Sequence, residues 1–150
     1  MSKHDLVTRD QTLFVRDHCL CLAAQRAARA LSRRFDEVFR AFGITSGQFS
    51  LLNALNRPEP PSLGSVAELL AMYRTSLTAN LKPLQRDGLV AVEADSSDRR
   101  IKRLALTGAG RRVLAEAMPI WTKVHGEIDR SLASQAANGA TLRTGLAALL

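Results

Sequence analysis

The chain contains few aromatic residues and few cysteines. Its 150 residues include five Phe, one Trp, one Tyr and two Cys. Apolar runs are short, and none approaches the ~20 residues that a membrane-spanning helix needs. The first six residues lack the charged-then-apolar layout of a signal peptide, and two cysteines without an export signal are typical of a reducing compartment. We therefore expect a cytoplasmic protein without a membrane partner.

Residue patterns typical of catalytic or cofactor sites are also missing. The three histidines are scattered along the chain. No Ser-His-Asp set, metal-binding histidine pair, phosphate-binding loop or paired-carboxylate motif presents itself. The sequence therefore predicts a protein that is not an enzyme and that has neither a metal nor another cofactor.

Helix-forming residues and positive charges are abundant instead. Leucine and alanine together make up 45 of the 150 residues, which favours a mostly helical fold. The net charge is +7, and positive charge is densest in residues 73–104, which hold seven basic and four acidic side chains. Basic charge concentrated in one short segment is typical of a protein that binds a phosphate backbone. A basic face that only keeps the protein in solution is the alternative interpretation.

Hydrophobic periodicity divides the first part of the chain into helices. An apolar stripe with three- and four-residue spacing predicts one long helix over about residues 17–42, ended by Gly43. Thr45 followed by Gln48 has the spacing of a capping box and opens a second helix. The proline-rich segment 57–61 stops this helix, because proline lacks the backbone donor.

A helix-turn-helix and a hairpin follow. Ser62 can cap a short third helix, and a turn at residues 71–73 leads into a fourth helix over about residues 74–86. After Gly88 the period changes to that of strands. Short extended runs at residues 89–93 and 102–106 flank a polar loop, which predicts a β-hairpin.

Two prolines are expected to interrupt helices in the second half. Pro83 deletes a backbone hydrogen bond of the fourth helix, so this helix bends there or ends sooner than its leucines suggest. A fifth helix opens near residue 108, and Pro119 is expected to kink it or to mark its boundary. A final helix over residues 141–150 carries four leucines. Because this stripe is so apolar, we expect the final helix to pack with the first and fifth helices of both chains in a symmetric dimer.

The fourth helix has one apolar face and one face suited to DNA. Hydroxyl groups and cations can meet base edges or phosphates, and alanine can contact a thymine methyl group. An ordinary amphipathic surface helix is the alternative, although such a helix more often carries paired Glu and Lys. The predicted DNA-binding residues of this helix are Arg74, Thr75, Ser76, Thr78, Ala79, Lys82 and Arg86.

The hairpin loop offers a second DNA contact. Arg99 and Arg100 lie at its tip, and a guanidinium group gains from the negative potential of a narrow minor groove. Asp98 can hold one of these arginines in position by paired hydrogen bonds. A disordered charged loop is the alternative interpretation.

Five short motifs occur along the chain in a characteristic order. They are FGITSGQF (42–49), VAELL (66–70), DGLV (87–90), DRR (98–100) and LTGAG (106–110). At these separations they resemble the MarR family of winged helix-turn-helix regulators, over about residues 17–150. The resemblance implies a single mainly α domain over residues 1–150 with a small β-hairpin wing. It also implies a DNA-binding lobe at about 45–107 and an intertwined homodimer through helices at about 10–42 and 108–150.

The resemblance also implies how the protein acts. The recognition helix would enter the major groove and the wing the minor groove of an inverted-repeat operator in double-stranded DNA. Tyr73 departs from the small or acidic residue usual before the recognition helix. A pocket between the dimer helices and the DNA-reading lobe suits a small aromatic or phenolic effector that relieves repression. Candidate pocket residues, whose aromatics have core packing as the alternative role, are Phe35, Phe39, Phe49 and Trp121, with Arg16, His18 or Arg26 to meet a carboxylate.

Cys21 suggests a different switch. Cys19 and Cys21 lie two positions apart on the predicted helix and therefore point away from each other. Cys21 matches the position of the peroxide-reactive cysteine in the OhrR-like organic-peroxide sensors of the same family. In that branch, supporting tyrosines stand where this chain has Phe35 and Ser46. An OhrR-like redox-sensing regulator is therefore one alternative, and a helical ligand-binding or scaffold protein without DNA binding is another.

Overall fold

The computed structural model describes residues 6–150 and shows a mainly helical chain with one two-stranded antiparallel hairpin, which confirms the predicted fold class. The backbone forms two compact units, one ending at Arg34 and the other covering Phe35–Leu150. In this described part, no helix is long and apolar enough to cross a membrane. The elements are α1 (Arg9–His18), α2 (Leu20–Phe39), a 3₁₀ turn (Arg40–Phe42), α3 (Ser46–Leu55), α4 (Leu63–Leu69), α5 (Arg74–Arg86), β1 (Val90–Ala94), β2 (Lys102–Leu106), α6 (Gly108–Ser134) and α7 (Gly139–Ala147).

The N-terminal helical region is divided, whereas the sequence predicts one helix over residues 17–42. Helices α1 and α2 are separated by a break at Cys19, whose backbone is extended with a ψ of 106°. The expectation that both cysteines lie on one helix is therefore wrong, because Cys19 occupies the break and Cys21 lies in the first turn of α2. At the other end, Gly43 has a φ of 70° and ends the helical segment as predicted.

Capping residues fix where several helices begin. At α3 the backbone N of Gln48 lies 3.2 Å from Thr45 Oγ1, and the backbone N of Thr45 lies 2.9 Å from Gln48 Oε1. This geometry confirms the predicted capping box. Thr8 and Gln11 form a second box at α1, a helix that the apolar pattern does not predict. Ser62 caps α4 as predicted.

The hairpin and the last helix are each displaced from their predicted positions. Strand β1 begins one residue later than predicted, at Val90, which pairs with Leu106 of β2. Helix α7 begins at Gly139 instead of residue 141. This earlier start follows from the Asn138 side chain, which accepts the first backbone N–H groups of the helix.

Both internal prolines lie within continuous helices. Helix α5 has its predicted bounds and continues past Pro83. Helix α6 runs unbroken through Pro119, so the predicted boundary there is wrong. Proline at this position leaves the carbonyl of Ala115 without its helical donor. Because Ala115 is exposed, water can reach this part of the helix and can satisfy the carbonyl.

The core of the second unit draws on α2, α3, α4, α5, α6 and both strands. Its largest fully buried side chains are Phe39, Leu52, Val66, Leu77, Leu81, Leu84 and Leu104. Three of these are the predicted leucine stripe of α5, so the core holds this helix by one face. The hairpin is tied to the segment before α4, because the Leu104 N–H donates to the Pro61 carbonyl over 2.9 Å.

A close backbone contact joins the residues that follow α5 to the start of α6. The Thr107 N–H donates to the Leu89 carbonyl over 3.1 Å, and the Thr107 hydroxyl donates to the Gly88 carbonyl over 2.7 Å. Gly110 is buried beside the same Leu89 carbonyl, and a Cβ there would collide with this oxygen. The contact therefore requires a residue without a side chain at position 110.

Replacing Gly110 with Ala should destabilise the fold. The added methyl group would push the two chain segments apart, and overpacking of this kind costs about 1–3 kcal/mol. Denaturant unfolding followed by circular dichroism measures this loss of unfolding free energy. Gly47→Ala is the matched control, because the nearest atom to its Cβ would be 4.0 Å away. Equal stability of the two variants would contradict the importance of this contact.

Candidate nucleic-acid interface

Helix α5 presents a polar face to solvent, opposite its three buried leucines. All of the residues that the sequence predicts as DNA contacts on this helix are exposed, and no carboxylate interrupts them. The set comprises Arg74, Thr75, Ser76, Thr78, Ala79, Lys82 and Arg86. The exposed face therefore combines positive charge with small hydrogen-bonding groups.

The side chains of this face are held in different ways. The Thr78 hydroxyl donates to the Arg74 carbonyl over 2.8 Å, and the Arg86 guanidinium is paired with Asp87 at 3.0 Å. The Arg74 guanidinium lies against Gly64 of α4, where a Cβ would be only 2.8 Å from Arg74 Nη2. Packing thus positions the first cation of the helix, and a carboxylate positions the last one.

Asp95 organises the loop between the two strands. Its carboxylate accepts the N–H groups of Ser97 and Asp98, each over 3.0 Å, and the Nε of Arg103 over 2.7 Å. These bonds lower the pKa of Asp95, and the Arg103 hydrogen bond is the largest cause. The Asp95 carboxylate is therefore ionised at neutral pH, where it holds the loop in one conformation.

Asp98 and Arg100 meet at the tip of the loop. Arg100 Nε and Nη2 lie 3.0 and 2.9 Å from the two Asp98 carboxylate oxygens. The Arg100 side chain is nevertheless 90% exposed, and the neighbouring Arg99 is exposed as well. The hydrogen bond from Arg100 lowers the pKa of Asp98. Its stabilising effect is therefore present at and above the ordinary pKa of an aspartate and is lost as the pH falls through the lowered pKa.

Asp95 and Arg103 are not among the functional residues that the sequence predicts. A local signal exists for Asp95, because an aspartate often accepts backbone N–H groups two and three residues later in a turn. No local signal pairs it with Arg103, which is eight residues away across the hairpin. This pair becomes visible only when the strand register is known.

An apolar cleft of about 570 Å³ lies among α3, the end of α4 and α6. Of the four predicted pocket aromatics, Phe49 and Trp121 line this cleft, with ring centroids 6.4 Å apart. Phe49 is also a buried core residue, like Phe39, which is fully buried there, whereas Phe35 is half-buried with its ring centroid 5.6 Å from that of Phe39. The lining residues are Phe49, Ser50, Asn53, Ala54, Leu69, Leu70, Met118 and Trp121.

The predicted cationic partners of an effector belong to the N-terminal unit. Arg16 is paired with Asp17 at 2.6 Å, and the His18 ring stacks on Phe14 with centroids 4.0 Å apart. Both side chains are therefore engaged within their own helix. Arg26 lines a shallow groove on α2 together with Ala23, Ala27, Arg29, Ala30 and Arg33.

Cys21 is the more accessible of the two thiols. It is exposed, and Gln25 Nε2 lies 3.3 Å from its sulfur. Cys19 is half-buried, and its sulfur accepts the Leu22 N–H over 3.4 Å. Across residues 6–150, no three His, Cys, Asp or Glu side chains are grouped so that they could hold a metal ion.

Proteins with similar sequences are transcriptional regulators. The MarR family profile matches residues 42–101. BadR of Rhodopseudomonas palustris, a transcriptional activatory protein, is 34% identical over 107 residues, which make up 69% of this chain and 61% of BadR. The chain spans 61–63% of the length of the curated relatives it matches.

Solved structures of similar fold include regulators bound to DNA. MosR of M. tuberculosis in complex with DNA has a TM-score of 0.79 and 36% identity, covering 88% of this chain and 93% of MosR. The repressor CouR on a 23-mer DNA duplex has a TM-score of 0.72 and 26% identity, covering 90% and 92%. These relatives are regulators and not enzymes. The chain belongs to the MarR family of winged helix-turn-helix transcriptional regulators.

Proposed function

We propose that the protein is a sequence-specific DNA-binding regulator that acts as a homodimer in the cytoplasm. The observation that carries this proposal is the combination of an exposed polar helix and an arginine-tipped hairpin in one compact unit. Structures of MosR and CouR, which have the same fold, contain bound DNA. We assign repression as the mode of action, as for CouR, although BadR is named an activator.

Helix α5 has the size and chemistry of a major-groove reader. Its 13 residues extend about 20 Å, and the major groove admits one such helix. Thr75, Ser76, Thr78 and Ala79 would contact base edges, while Lys82 would contact guanine or phosphate. Arg99 and Arg100 would enter the adjacent minor groove, whose negative potential attracts guanidinium groups.

Replacing Arg100 with Ala should weaken DNA binding and lower its salt dependence. Each dimer would lose two cations, so the slope of log affinity against log salt should become about 2 units less steep. Fluorescence anisotropy with labelled duplex over a range of KCl concentrations measures both quantities. Lys123→Ala, which removes one exposed cation from α6, serves as the control. Unchanged affinity and slope in R100A would refute the placement of the wing on DNA.

The terminal helices carry apolar surface that a second protomer would cover. In α7 and the following residues, Leu142, Leu146 and Leu149 are exposed, and in α1 so are Phe14 and Val15. Exposed apolar groups of this density mark an interaction surface. A two-fold axis would place the same patches of both protomers together. It would also set the two recognition helices against half-sites about 34–36 Å apart.

Charge placed on the α7 stripe should dissociate the dimer. The double variant Leu142→Glu/Leu146→Glu would bury carboxylates in the proposed interface, so we expect monomers at micromolar concentration and loss of cooperative operator binding. Light scattering measures the mass directly. Thr144→Glu adds a carboxylate to the opposite side of α7 and should remain dimeric. A wild-type protein that is monomeric at this concentration would exclude the dimer.

The cleft beside Trp121 is the proposed effector site. It is lined largely by apolar side chains, and Phe49 and Trp121 offer aromatic walls for a phenol or an aromatic acid. Its volume lies within the usual range for small-molecule sites. An effector releases DNA only if it binds the DNA-free conformation more tightly than the DNA-bound one.

Occupation of this cleft should change the fluorescence of Trp121, the only tryptophan of the chain. We expect 4-hydroxybenzoate, used as a probe, to quench the wild-type emission and to release bound DNA. Ser50 is an exposed residue of the lining, so the larger side chain of Ser50→Phe should block the cleft and abolish both effects. Asn56→Phe, exposed at the end of the same helix, is the matched control. Release by an organic peroxide that Cys21→Ser prevents would instead assign the switch to the thiol.

A further inference from the structure

The recognition helix begins differently from the five other α-helices whose N-cap residue the structure shows. Helices α1, α3, α4, α6 and α7 each begin after a residue whose side chain accepts a backbone N–H group. Helix α5 begins after Tyr73, whose backbone has the same extended conformation but whose side chain makes no capping hydrogen bond. Serine, threonine, aspartate or asparagine at this position would stabilise the helix. Tyr73 therefore occupies a position where a capping residue would give a more stable fold.

The Tyr73 side chain is also unusually exposed. It is 84% accessible, the second highest value among the exposed large hydrophobic residues after the C-terminal Leu150. Neither capping nor core packing therefore accounts for tyrosine at this position. The next two residues along the chain, Arg74 and Thr75, are among those that the sequence predicts to contact DNA, and both are exposed.

We propose that the Tyr73 hydroxyl donates a hydrogen bond to a DNA phosphate at the edge of the groove that α5 enters. This inference rests on the proposed DNA binding and adds a positioning residue to it. Tyrosine is one of the side chains that contact phosphate oxygens in protein–DNA complexes. A contact at the first residue of the recognition helix fixes how deeply the helix enters the groove. Because phosphates are the same at every base pair, the contact strengthens binding to all sequences alike.

Two variants separate this role from a merely tolerated side chain. Tyr73→Phe keeps the ring and removes the hydroxyl. We expect it to weaken binding about tenfold, by the same factor on a duplex that the wild-type protein selects from a randomised pool and on a scrambled duplex. Since tyrosine is neutral, the salt slope should stay at the wild-type value, unlike that of Arg100→Ala.

Tyr73→Ser tests the same idea against stability. Serine supplies the missing cap, so the melting temperature should rise, while DNA affinity should fall at least as far as in Tyr73→Phe. A side chain without a role in binding would give the rise in melting temperature alone. The opposite movement of stability and affinity is therefore the signature of a residue selected for DNA contact.

Three results would overturn the inference. Wild-type affinity in Tyr73→Phe would exclude the hydroxyl contact while R100A still reports on DNA binding. A loss confined to the selected duplex would show that the hydroxyl reads a base. A wild-type protein that shows no salt-dependent binding to either duplex would refute the proposed function together with this inference.

Discussion

The burial of one leucine stripe determines the direction in which the polar face of α5, the proposed DNA-binding surface, points. Leu77, Leu81 and Leu84 are at most 2% exposed and share a core with side chains of α3, α4 and β2. Burial of each leucine contributes roughly 1.5–3 kcal/mol, so rotation of α5 about its axis would cost several times this amount. The orientation of the polar face is therefore fixed by buried residues on the opposite side of the helix. Substitutions within the polar face leave this orientation intact, so they can change the DNA sequence that the face would prefer without moving the helix.

Electrostatic order in the wing complements this apolar anchoring. The Asp95 carboxylate accepts hydrogen bonds from the backbone of the loop and from Arg103, and the Asp98 carboxylate accepts hydrogen bonds from Arg100. The loop therefore contains two carboxylates, yet its tip still exposes positive charge, since Arg100 remains almost fully exposed. A preformed loop loses less conformational entropy on binding than a mobile one. The acidic residues of the wing therefore hold its arginines in position.

Local sequence signals predicted the elements whose causes are local. Helix α5 and the capping box at Thr45 were predicted because leucine spacing and cap chemistry act within a few residues. Helix α1 has no buried residue, so no apolar stripe in the sequence predicts it. The break at Cys19 lacks a glycine or proline signal. The predicted helix boundary at Pro119 is wrong, because the carbonyl that loses its donor belongs to Ala115, an exposed residue that water can reach. Similarly, aromatic content alone does not distinguish Phe39, a core residue, from Trp121, which lines a cleft.

The long helix α6 has a mechanical consequence. Its 27 residues form a rod about 40 Å long, and Gly110 packs the first turn of this rod against Leu89, three residues after the end of α5. Trp121 lies further along the rod, and the hydrogen bond missing before Pro119 makes the intervening turn its easiest point of flexure. A bend of about 5° there displaces a point 20 Å away by nearly 2 Å. In the proposed homodimer, a hinge at this turn would convert a small adjustment around Trp121 into a change in the spacing of the two proposed DNA-binding surfaces.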